Sequence, residues 1–309
     1  MIKRNLSTFG LFFATVTWGL SFFFVKRATA ITGVWPFLFW RFALAPLLMI
    51  LVFPRKFFCT NWKTVRHGSV LGGLLFLAIW TQTEGLQLTS VGRSGFITAL
   101  YVPMTPILAW IFFKRVMTIK YLVVVTLATI GLYALTLQSD SSGDPISWWK
   151  QMNRGDAWTL ATAFFTALHI IATEKIARLE SDSLALGLWQ FVACFVSVVV
   201  IMMINAPQSP YFYQPDFWQI WHWPAFVLGA VLFTAIVTTD FGFMMQIVCQ
   251  KTIGALKAAL IFALEAPIAT LFAFFLLNEI MTTRELLGAA LVLLASLVPE
   301  RWLESKKGR

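Results

Sequence analysis

Ten runs of mostly apolar residues, at 6–25, 34–53, 68–88, 94–113, 119–137, 156–174, 184–204, 223–245, 258–277 and 285–299, dominate this chain. At roughly 20 residues per crossing, such runs match the thickness of a bilayer's hydrocarbon layer and use roughly two thirds of the sequence. Of the 309 residues, 59% are hydrophobic and only 12% charged, against about 25% charged in a soluble domain. Burying that much apolar sequence in water would leave too little polar surface to cover it. The predicted fold class is therefore an all-α membrane protein with ten transmembrane helices. Three scattered cysteines (Cys59, Cys194, Cys249) exclude a disulfide framework and a clustered thiolate metal site. The first run follows Lys3 and Arg4 and precedes Ala28-Thr29-Ala30, the outline of a secretory signal. It is too long for that role and ends at Lys26-Arg27, so it reads as a retained helix.

The formal charge of +10 would suggest nucleic acid in a soluble protein. In lipid, the cheaper explanation is that basic residues gather on the cytoplasmic side. With the N-terminus inside, the inner segments hold 17 Lys and Arg residues and the outer ones 6, Arg41 lying within a span. Both termini are thus expected in the cytoplasm of a multi-pass cell-membrane protein that has no nucleic-acid partner. The connection 138–155 is polar. The connection 205–222, with Tyr211, Phe212, Tyr213, Phe217, Trp218 and Trp221, reads as an outer segment in the headgroup layer.

Internal similarity adds more. A shift of 149 residues lays Lys26 on Lys175, Trp40 on Trp189 and Phe42 on Phe191. A shift of 156 lays Thr83-Glu84 on Thr239-Asp240, and one of 164 lays Arg93 on Lys257, Ile97 on Ile261, Tyr101 on Glu265 and Pro103 on Pro267. The order is kept and the shift grows, as insertions in the second half would produce. The predicted division is 1–140 and 155–309, five helices each. An odd number makes the second half enter lipid from the opposite side, giving an inverted 5+5 repeat with its site between the halves.

The residues also resemble EamA-type carriers of the drug/metabolite transporter superfamily. Helix one carries Trp18-Gly19-Leu20-Ser21-Phe22 followed by Lys26, similar to the family's opening motif. Helix two carries Trp35-Pro36 and Trp40-Arg41-Phe42, and helix nine Glu265-Ala266-Pro267 followed by Leu276-Leu277-Asn278-Glu279. Asn278 stands where the family has glycine, and Arg115 where it often has glutamate. The resemblance spans the chain. It implies a pathway lined by helices 1, 3, 4, 6, 8 and 9 and movement of a small metabolite, amino acid-like or amphipathic, with export the expected direction.

Ionisable groups inside apolar runs cost roughly 2.5–3.5 kcal/mol each at the bilayer centre and are expected to face the bundle interior. Arg41 and Glu84 reach the same depth, so an ion pair between them is geometrically open. Glu84 and Asp240 are candidate gate carboxylates toward opposite faces. Glu265 precedes Pro267, which frees a backbone carbonyl, and is the candidate for loading and releasing a proton; its repeat mate is Tyr101. His169 is either a helix–helix contact or a substrate site. Trp18 with Ser21, and Trp80 with Gln82 and Glu84, are candidate cavity walls suited to cations or aromatic groups. Small residues at Gly68/Gly72, Gly95/Ala99 and Gly254/Ala258 suggest close helix contacts.

No metal site or cofactor is expected, since three scattered histidines lack paired carboxylates at ligand spacing. No phosphate-binding glycine loop suggests drive by ATP. The expected partners are a small-molecule substrate, the lipid bilayer, protons as candidate coupling ion, and a second copy of the chain as a candidate homodimer. Two competing classes remain. Gly92-Arg93-Ser94-Gly95 with His169 has the outline of an intramembrane serine protease, although Ser94 also reads as a helix cap and Arg93 matches Lys257. A facilitative channel is the other.

Overall fold

The computed structural model describes residues 2–89, 91–114, 118–136, 152–205, 217, 220–277 and 282–298, and among them all regular structure is helical. The first half contains α1 (Ile2–Thr32), α2 (Val34–Val52), the short α3 (Pro54–Phe58), α4 (Trp62–Leu88), α5 (Val91–Ala99), α6 (Tyr101–Phe113) and α7 (Ile119–Thr136). The second contains α8 (Arg154–Leu179), α9 (Ser183–Asn205), α10 (Ala225–Ile253), α11 (Ala255–Phe262), α12 (Glu265–Leu277) and α13 (Thr283–Leu297). The Trp218 and Tyr211–Tyr213 part of the expected headgroup segment, Arg115, and Asn278-Glu279 lie outside the described residues.

Caps mark several ends. Asn61 accepts from the Thr64 N–H at 2.9 Å at the start of α4, and Asn153 with Asp156 forms a reciprocal capping box on α8. Such caps satisfy N–H groups that the first helical turn cannot pair internally. At Gly33 (φ 76°) and Gly254 (φ 83°) the chain turns between helices through the left-handed region, where a Cβ would be strained.

Among the described residues, 7 helices are long and apolar enough to cross a membrane. Of the remaining three expected spans, α4 has 27 residues but carries Thr81, Gln82, Thr83, Glu84 and Gln87, while α7 has 18 and α13 has 15. Large apolar side chains such as Leu51, Phe112, Ile204 and Leu297 point outward, as a lipid-facing surface requires.

Two long apolar segments are broken, and at matching places. Between α5 and α6 the Leu100 N–H donates to Ile97 at 3.1 Å, and between α11 and α12 the Leu264 N–H donates to Ile261 at 3.1 Å. In both, a tight three-residue bond replaces the helical one. Pro103 and Pro267 explain this: each lacks an N–H for the carbonyl four residues earlier, at Ala99 and Ala263, and its ring crowds that carbonyl. Tyr101 and Glu265 begin the helices that follow.

α4 packs on α8 and α9, α7 on α13, and α1 against α10 and α12. The closest contacts use glycine. A Cβ on Gly72 would lie 2.3 Å from the Gln190 carbonyl oxygen, and one on Gly131 2.8 Å from the Gly288 carbonyl oxygen. Of the expected small-residue contacts, Gly68 and Gly72 hold α4 against α9. Gly95, by contrast, has no atom within 4 Å of a Cβ position, and Gly254 is a turn rather than a packing stripe.

The central segment of α10, Phe233–Phe243, is π-helical. This wider winding changes which carbonyls are shared within the helix, and the Thr238 carbonyl accepts the Trp18 indole N–H at 3.0 Å.

Candidate functional site: a central cavity

Where α1, α2, α4, the α5–α6 break, α8, α10 and the α11–α12 break converge, they line a cavity of about 70 Å³. Trp18, Phe243 and Phe262 form an aromatic wall, with Trp18 4.8 Å from Phe243 and 5.0 Å from Phe262 between ring centroids. Polar lining comes from Ser21, Arg41, Gln82, Thr98, Tyr101, Thr162, Thr166, His169, Gln246 and Glu265. These helices include every one that the family resemblance implies, and Arg41 adds α2. Trp18, Ser21, Arg41, Tyr101, His169 and Glu265, all singled out in the sequence, meet in this one space.

Arg41 is 5% exposed. Its Nε donates to Thr239 Oγ1 at 3.0 Å and its terminal nitrogen to Thr238 Oγ1 at 3.1 Å. The expected Arg41–Glu84 ion pair is not formed. Glu84 instead accepts from the Trp80 indole N–H at 3.2 Å, one helical turn away on its own helix. Trp80 packs between Trp35 and Trp158, each 5.4 Å away. Trp80 and Glu84 therefore belong to an aromatic cluster beside the cavity, not to its lining. Asp240 is also absent from the lining, and its Oδ1 is buried without a hydrogen-bond partner.

Of the two readings of His169, the helix–helix contact is formed. Its Nε2 lies 3.3 Å from Gln190 Oε1 and 3.5 Å from Thr173 Oγ1, tying α8 to α9, and its ring lines the cavity. Ser94 Oγ is buried without a hydrogen-bond partner, so it forms no dyad with that ring nitrogen. Nor is Ser94 a cap: α5 begins three residues earlier, at Val91.

A smaller side pocket, lined by Phe22, Gly95, Thr98, Ala99, Tyr101, Phe262, Glu265 and Ala266, shares Thr98, Tyr101, Phe262 and Glu265 with the main cavity. The hydroxyls of Thr98 and Tyr101 are buried and have no hydrogen-bond partner. Each such group costs about 1–3 kcal/mol when left unpaired.

Sequence reasoning missed Thr98, Thr162, Thr166 and Gln246. One signal was there to be read: Thr159, Thr162, Thr166, His169 and Thr173 recur at three- and four-residue steps, a polar stripe on an otherwise apolar helix. No group of three or more His, Cys, Asp or Glu that could hold a metal occurs among the described residues.

A multi-helical membrane fold with broken helices around a central cavity of aromatic and polar side chains defines a membrane-transporter class of protein. The sequence profile of the EamA-like transporter family matches residues 6–137 and again 153–298, and the chain belongs to that family. It is 30% identical over 297 residues, 96% of its own length and 86% of the other, to an uncharacterized transporter of Archaeoglobus fulgidus. It is 26% identical over 266 residues, 84% of its length and 81% of the other, to the uncharacterized transporter YyaM of Bacillus subtilis. A solved crystal structure shares the fold at TM-score 0.69 and 15% identity, covering 98% of this chain and all of that one.

Proposed function

We propose that this chain is a secondary carrier that moves a small amphipathic organic solute by alternating access. Its ten spans form an inverted 5+5 repeat divided near 1–140 and 155–309, with both termini in the cytoplasm. The cavity supports this most directly. It pairs a buried guanidinium, Arg41, with a carboxyl, Glu265, from the other half, against one aromatic wall. A solute with a charged end and an apolar body suits that lining. The two profile matches and the two proline-linked breaks support the repeat. Two equivalent halves can exchange conformations and open one site to either side in turn. Glu265 is the candidate proton carrier and export the candidate direction.

The test is solute flux in proteoliposomes with and without an imposed pH gradient, after comparison of metabolites in cells with and without the gene has nominated solutes. Saturable flux that accelerates with the gradient is expected, and Glu265→Gln is expected to lose that acceleration. Non-saturable flux unaffected by Arg41 or Glu265 would favour a channel and overturn the carrier.

A further inference from the structure

We propose that Glu180 is the hub of a latch that keeps the resting carrier closed toward the cytoplasm. This rests on the carrier reading with its repeat and orientation, and names the favoured state and what holds it. Glu180 stands in the turn between α8 and α9, and its side chain is 7% exposed. Its Oε2 accepts from Thr64 Oγ1 at 2.6 Å and its Oε1 lies 2.6 Å from His67 Nδ1, both on α4. Its backbone carbonyl accepts from Lys251 Nζ, near the end of α10, at 2.8 Å. Two residues on, Asp182 pairs with Lys56 on α3. A turn of the second half is thus tied to α3 and α4 of the first, through bonds that charge strengthens. Beside the latch, α4 and α9 are pressed together: a Cβ on Gly68 would lie 2.6 Å from Trp189 Cβ, and one on Gly72 2.3 Å from the Gln190 carbonyl oxygen. Only small residues permit such an approach.

The repeat supplies a comparison within the chain. The shifts of 149 and 156 residues lay α2 on α9 and α4 on α10, so the α2–α10 crossing is the outer counterpart of the α4–α9 crossing. There Glu180 and Asp182 correspond to Ile31 and Gly33, and Thr64 and His67 to Ile220 and Trp223. None of these four counterparts carries a charge. Gly68 and Gly72 correspond to Pro224 and Leu228, whose side chains hold backbones apart. Gln190 corresponds to Arg41, which bridges to Thr238 and Thr239 through a long side chain. The mirror-image closure at the outer end therefore lacks both the ionic clamp and the glycine contact. Two states with unequal contacts are unequally populated, and the inner-closed one is favoured. Arg93 and Asp156 do pair toward the other end, at 2.6 Å, but they join α5 to α8, a different pair of helices.

The experiment uses the full chain with Ser21→Cys, which lines the cavity, and Cys59→Ser. A membrane-impermeant maleimide is applied from each side of oriented proteoliposomes, and the two reaction rates are compared. With the latch intact, the outer rate is expected to exceed the inner by about tenfold or more. Thr64→Val and Glu180→Gln each remove a hydrogen bond to or from a charged group, and each is expected to raise the inner rate about tenfold. Lys56→Asp, at a half-exposed pair, is expected to raise it about threefold, and adding Asp182→Lys to reverse that rise. A merely structural role would lower the melting temperature and leave the ratio of the two rates unmoved. An inner rate equal to or above the outer with the latch intact would overturn the proposal, as would an unchanged ratio in both Thr64→Val and Glu180→Gln. The preference measured with the latch intact decides the matter even if a variant fails to fold. Reaction from both sides at a ratio that no latch variant moves removes the latch and leaves the carrier; a thiol never reached from inside in any variant removes both.

Discussion

Arg41 on α2 donates through its Nε to Thr239 Oγ1 on α10 at 3.0 Å, a contact between residues 198 positions apart. Among the described residues no acid forms an ion pair with this guanidinium, and a charge held by hydroxyls alone is costly in lipid unless a ligand uses it. Thr238 Oγ1, the second acceptor, already donates to the Thr234 carbonyl at 2.8 Å, so it stays paired if Arg41 is lost.

Arg41→Met is therefore expected to keep or raise thermal stability while cutting solute flux about tenfold or more, since an apolar replacement of a buried charge is often neutral or stabilising. Arg41→Lys is expected not to restore flux, because an ammonium lacks the fork that spans Thr238 and Thr239. A fall in melting temperature with unchanged flux would make Arg41 a structural bolt.

Glu265→Gln preserves shape and hydrogen-bonding capacity while removing the titrating group. Flux driven by a pH gradient is expected to fall about tenfold or more, the loss of a charge-assisted contact being worth about 1.5–3 kcal/mol, while exchange at equal pH persists. Full retention of gradient-driven flux would remove the proton role.

Glu180, just past the end of α8, accepts from Thr64 Oγ1 at 2.6 Å and lies 2.6 Å from His67 Nδ1. Burial pushes its carboxyl up, but the hydrogen bonds from Thr64 and His67 outweigh burial and hold it below its ordinary value of 4.5. A depressed carboxyl stabilises fully above its unfolded-state value, and the contribution disappears as pH falls through the folded-state value. Stability of the unaltered chain should thus decline below about pH 4.5, with a smaller decline in Glu180→Gln. Identical profiles in thermal melts across pH 3–7 (roughly the carboxylate range) would contradict this.

A glycine pair on α4 offers a packing test. Gly72→Ala places a Cβ against the Gln190 carbonyl oxygen, whereas Gly73→Ala meets nothing within 4 Å. The first is expected to cost about 1–3 kcal/mol, and the second to be neutral or stabilising by up to about 1 kcal/mol through helix propensity. Melting temperatures in one detergent compare them; equal shifts would mean that α4 and α9 are less tightly apposed.

Periodicity carried the helical fold, because lipid leaves the backbone few alternatives. Ionisable residues within apolar runs located much of the cavity: Arg41, Glu265 and His169 stand out against their neighbours. Their partners did not, since Thr238, Thr239 and Gln190 are neutral residues distant in sequence and common in any span. Glu84 misled because equal depth does not fix which way a side chain faces, and Trp80 lay one turn away to receive it. The helix breaks were half legible in Pro103 and Pro267; the π-helical winding of α10 has no comparable marker in Phe233–Phe243.

Labelling of a cysteine placed at Ser21, with Cys59 replaced by serine, tests alternating access most directly. Membrane-impermeant thiol reagents would be applied from each side of oriented proteoliposomes. Alternating access predicts reaction from either side, with transported solute slowing both and a locked conformation permitting only one. Reaction from a single side under every condition, or from both sides at once in a locked protein, would contradict it.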